Sequence, residues 1–179
     1  MTTPLESAPS AEHQGDLRRV ALWAAGYAAR ALPVFERQHP GDPGPRDAVA
    51  AGRAFAEGAT RDKALRTAAW AAHKAAGRAP DALAKHAARA AMLTAAVAYT
   101  HTDLTEGDQG ISQAQHLLGP VVYAAMALGA EDLLDQAVAD APPELIRLLL
   151  LFPPQPGGRT QLKQLFQKLD AALRAGGAR

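Results

Sequence analysis

Alanine occupies 43 of the 179 positions, while valine and isoleucine together supply nine. Alanine has the best intrinsic helix propensity, and β-branched residues are those a sheet would favour. This imbalance predicts an all-α chain. A chain of this length fits one domain, expected over residues 15–176 behind a mobile tail over residues 1–14. Cysteine is absent, which excludes a disulfide scaffold, a thiolate zinc site and a cysteine nucleophile.

Apolar spacing and local punctuation divide the domain into a bundle or array of seven to eight helices. Leu17, Val20, Ala24, Tyr27, Ala31 and Phe35 share one face of a first helix over Asp16–Glu36. The segment His39–Pro45 breaks it, and Pro45 suits the first turn of a second helix ending near Gly58. Thr60 is an expected N-cap for a third helix with Leu65, Ala68, Ala72 and Ala76 inward, and Asp81 caps a fourth. His101 to Gly110 reads as the main irregular loop, with a fifth helix starting near Ser112. At Gly119-Pro120 that helix is expected either to kink or to end and restart. A sixth helix follows over Glu131–Ala139. Pro142-Pro143 opens a seventh, whose run Leu148–Leu151 should be central, and Thr160 caps the last, stopped by Gly176-Gly177. Residues 23–29 echo residues 70–76 at an offset of 47, which would make two duplicated helical units. Both tryptophans, Trp23 and Trp70, read as core anchors among alanines, with an interface hot spot as the alternative.

Several function classes fall away. Nineteen basic residues stand against 18 acidic ones, and no basic surface is evident in the sequence, so nucleic acid is not the expected partner. Residues 1–16 lack the pattern of a secretory signal. The apolar stretch over residues 117–130 is too short to span a bilayer, so a cytoplasmic location without membrane contact is expected. The P-loop, the nucleophile elbow and the His-Glu-x-x-His zinc motif are all missing, and no enzyme activity, cofactor or metal is expected. What remains is a histidine group: His73, His101 with Asp103, and His116. Their three readings are hydrogen bonding to helix ends, partner binding, and a metal or acid–base role. They are expected to meet at the ends of the third, fourth and fifth helices as a small polar site.

Longer stretches carry a resemblance. Thr60-Arg61-Asp62-Lys63-Ala64-Leu65-Arg66-Thr67-Ala68-Ala69-Trp70-Ala71-Ala72-His73 is similar to the most recognisable block of a bacterial immunity-protein family of the type-5-like class. The similarity extends through Phe35-Glu36-Arg37, Ala98-Tyr99-Thr100-His101, Gln115-His116-Leu117-Leu118-Gly119-Pro120 and Tyr123-Ala124-Ala125. The resemblance implies a helical, cytoplasmic protein that protects its bacterium by binding a toxin. Candidate residues for such binding are Trp70, His73, Tyr99, His101, Asp103, Gln115, His116 and Tyr123. The contrasting reading is a small helical enzyme or ligand-binding protein with a histidine-lined polar site.

Overall fold

The structure, a computed structural model, describes residues 11–177. Among them are eight α-helices, two short 3-10 turns and no strand. The helices are α1 (Gln14–Glu36), α2 (Gly44–Ala56), α3 (Lys63–Arg78), α4 (Ala82–Ala96), α5 (Gly107–Leu128), α6 (Leu133–Ala139), α7 (Pro143–Leu149) and α8 (Gln161–Gly177). The 3-10 turns cover Ala11–His13 and Val97–Tyr99. Of the expected tail, residues 1–10 lie outside the described residues, whereas Ala11–His13 and Gln14 are helical. No helix of the described residues is long and apolar enough to cross a membrane.

α4 is the hub, packing against α1, α2, α3 and α5. Its buried positions are six alanines with Leu93 and Thr94, distributed round more than one face. A helix surrounded on several sides can have neighbours this close only if its side chains are small. Gly52 of α2 shows how close: a methyl group there would stand 2.8 Å from Thr94 Cγ2 and 3.0 Å from the Thr94 carbonyl oxygen. Gly119 of α5 makes the equivalent approach to the Leu93 side chain. Larger side chains close the remainder of the core, among them Phe35, Phe55, Leu117, Leu118, Leu145 and Leu169. α8 lies on α5, α6 and α7 at the far side.

Local chemistry explains three helix starts. Asp81 caps α4, its carboxylate accepting from Ala84 N at 2.8 Å, and Thr160 Oγ1 accepts from Lys163 N at 3.3 Å. The third helix starts two residues later than Thr60 suggests, because the Asp62 carboxylate accepts from Leu65 N at 3.1 Å and takes the cap. α5 starts at Gly107, so the expected long loop is reduced to the segment before it. The glycines that read as loop residues have other uses. Gly107 takes a left-handed φ of 55°, and Gly110 lies so close to Thr105 and Pro153 that no side chain fits. α5 continues through Pro120 as one helix, and no new helix starts there. α8 likewise runs through Gly176 and Gly177, where Gly177 lets it approach Ile146. In the Leu148–Leu151 run, Leu148 and Leu149 are buried while Leu150 is 65% exposed, since the short α7 has the core on one side only.

Candidate functional site

α3 buries just Leu65, Ala72, Ala75 and Ala76 of its sixteen residues. At about 100° per residue, Trp70 falls about 160° from Ala72, on the opposite face. The indole is 59% exposed, which corrects its reading as a core anchor. Trp23 is in the core at 8% exposure, so the two halves of the 47-residue echo do not share an environment. The outward face of α3 carries Lys63, Arg66, Thr67, Trp70, His73 and Lys74 at mutual spacings of three, four and seven. Arg78, at the end of the same helix, is paired with Asp42 at 2.8 Å. The near-neutral total charge conceals this gathering of cations. The helix itself carries no acid, while Asp47 and Asp42 of the neighbouring segment lie along one edge, beside Lys63 and Lys74.

Beside this face, α3, α4 and α5 line an open pocket of about 630 Å³. α3 contributes Lys63, Arg66, Trp70 and His73; α4 contributes Met92, Leu93 and Ala96; α5 contributes His116. The Trp70 and His73 rings are stacked, with centroids 4.9 Å apart and planes 17° from parallel. That contact follows from their i, i+3 spacing. No Asp or Glu lines the pocket. The wall is therefore mainly apolar and its charge is cationic, unlike the small polar site expected from the histidines.

His116 lines the pocket, but its Nδ1 is enclosed and has no hydrogen-bond partner. Burial, with a smaller push from His101, lowers its pKa from 6.5 to about 4, so the ring is neutral near pH 7. The unfolded chain protonates this ring between pH 6.5 and 4, where the folded chain does not. Stability should therefore be full above pH 6.5 and decline as pH falls, the ring costing about 3 kcal/mol by pH 4. Urea denaturation at a series of pH values should show a flatter acid slope for His116→Gln. An unchanged slope would mean that the ring protonates freely in the folded protein.

The other candidate residues separate into neighbours of the pocket and residues remote from it. Tyr99 donates its hydroxyl to Asp62 O at 2.7 Å, and the guanidinium groups of Arg61 and Arg66 stand 5.5 and 5.1 Å from its ring centroid. It thereby ties the start of α3 to the turn after α4. His101 holds the loop end: its backbone N donates to Gln113 Oε1 at 2.8 Å, and its Nδ1 is 3.6 Å from the exposed Asp103 carboxylate. Gln115 instead joins α5 to the segment before α8, donating to Gln155 Oε1 at 3.0 Å. Tyr123 packs between His86 and Phe166, with Arg89 over its ring, away from the pocket. Thus Trp70, His73 and His116 line one pocket, Tyr99 reaches it only through Arg66, and His101, Asp103, Gln115 and Tyr123 are not in its lining. Among the described residues no three His, Asp or Glu side chains are grouped to hold a metal ion. Sequence reasoning missed Lys63 and Arg66, although their positions seven and four residues before Trp70 place them on its face. Met92, Leu93 and Ala96 left no such local trace, because only packing brings α4 alongside.

A protein-family model described as Imm-5 like putative immunity protein matches residues 12–106, from α1 through α4 and the turn that follows. No curated protein and no solved structure matches the chain.

Proposed function

This chain belongs to the Imm-5 like immunity protein family, and from that premise we propose that it neutralises a bacterial toxin by direct, non-catalytic binding in the cytoplasm. The observation that carries this reading is the exposed Trp70 in the midst of the cationic face of α3. Tryptophan and arginine are the residue types that dominate binding energy at protein interfaces, and the cations select an acidic partner surface. The face lies within the family match, and a helix held by α2 and α4 presents it with little conformational cost.

The test compares the tagged protein with a Trp70→Ala/Arg66→Glu double variant. Both are used to capture partners from lysate of the protein's own host. The wild-type protein should retain a partner that arrests growth when expressed alone and is harmless when co-expressed with it. The double variant should lose capture and protection together, by tenfold or more. Equal protection by the double variant would remove α3 as the binding face, and a captured partner without toxicity would refute the immunity reading.

A further inference from the structure

The pocket beside α3 has a chemistry that a docking face alone does not require. Its volume of about 630 Å³ suits a small organic molecule. Met92 and Leu93 make its inner wall apolar, and the stacked Trp70–His73 pair supplies a flat aromatic side. Lys63 and Arg66 stand one helical turn apart on the same face, and neither is ion-paired with a described residue. Arg66 is also steadied against the Tyr99 ring. The third helix therefore offers two cations, neither in an ion pair among the described residues, next to an apolar, flat-walled recess.

We infer that this pocket binds a small aromatic carboxylate, its ring against Trp70 and its carboxylate between Lys63 and Arg66. Other ligand classes leave part of the site unmatched. A neutral hydrocarbon gives the two cations no counter-charge. A cationic ligand meets two like charges, which oppose the attraction of the indole face. A polyphosphate would have to lose water against the Met92 and Leu93 wall without gaining hydrogen bonds there. The neutral His116 ring fits an apolar body and adds no further charge to the lining. This inference requires no protein partner, so it stands or falls separately from the toxin reading.

The full chain should be titrated with 2-naphthoate, with 2-naphthalenemethanol and with 2-naphthylmethylammonium, followed by calorimetry and by proton–nitrogen NMR. Two tryptophans give two indole N–H signals, so the site can be read directly. Naphthoate should bind saturably at one site and move the Trp70 signal while leaving that of Trp23 in place. The alcohol should bind at least tenfold more weakly and the ammonium compound more weakly still. Lys63→Ala and Arg66→Ala, both at exposed positions, should each weaken naphthoate binding at least fivefold with an unchanged fold. Absence of saturation, equal affinity for acid and alcohol, or movement of the Trp23 signal instead would overturn the inference.

Discussion

Trp23→Ala is expected to cost about 3–5 kcal/mol of folding free energy, and Trp70→Ala no more than about 1 kcal/mol. Trp23 meets Tyr27 edge-on at 5.7 Å, and its indole N–H donates to Ala137 O at 3.2 Å, which fastens α1 to α6. Truncation would remove the ring that packs on Tyr27 and leave the Ala137 carbonyl without its donor. Trp70 has no such attachments; its neighbour is His73, on the same exposed face. Urea denaturation of the two variants gives the comparison in one experiment. A loss at Trp70 equal to that at Trp23 would place the Trp70 indole in the core and remove the exposed anchor from the proposed binding face.

Asp170→Ala should be comparably damaging, at about 3–5 kcal/mol, because it breaks a buried charge pair from one side. Asp170 is 1% exposed. Its carboxylate accepts from Gln155 N at 2.9 Å and from Arg174 Nε at 2.9 Å. The Arg174 guanidinium continues to the carbonyl oxygens of Leu149, Phe152 and Pro153. This one pair thus clamps the end of α7 and the proline-rich segment after it onto α8. Without Asp170, Arg174 keeps its charge in a largely enclosed place, and Gln155 N loses its acceptor. Asp170→Asn retains an acceptor for Gln155 N and should lose less. A loss below about 1 kcal/mol for Asp170→Ala would show that water replaces the carboxylate there. The proposed binding through Trp70, on a helix that packs against α2 and α4 rather than α8, should persist in any Asp170 variant that remains folded.

The helices were legible because their determinants are local. Asp81 and Thr160 are recognisable caps, and the apolar repeat of α1 from Leu17 to Phe35 marks the face that is buried. Errors arose where two local signals compete or where a residue's value lies in what it touches. Thr60 and Asp62 are both good caps two residues apart, and nothing local chooses between them. Gly107 and Gly110 have loop-like composition, yet each belongs to α5, where one supplies a left-handed start and the other a close approach to Pro153.

By itself, then, the order of residues determined the helical state of the chain, the approximate extent of its helices, and the resemblance that places it among immunity proteins. Propensity, capping and periodicity act within a few residues, so they can be read one segment at a time. Tertiary structure alone decided which face of α3 is left to solvent. That face is free because α2 and α4 take the alanine side of the helix, which leaves Trp70 outside with Lys63 and Arg66. The same packing draws His116 to Trp70 and His73 from 46 and 43 residues further along the chain. It depends on the alanines of α4 and on Gly119, which bring α5 close enough for His116 and Leu93 to share one pocket. Small side chains carry little pattern of their own, so the distance they permit between helices becomes visible only when the helices are assembled.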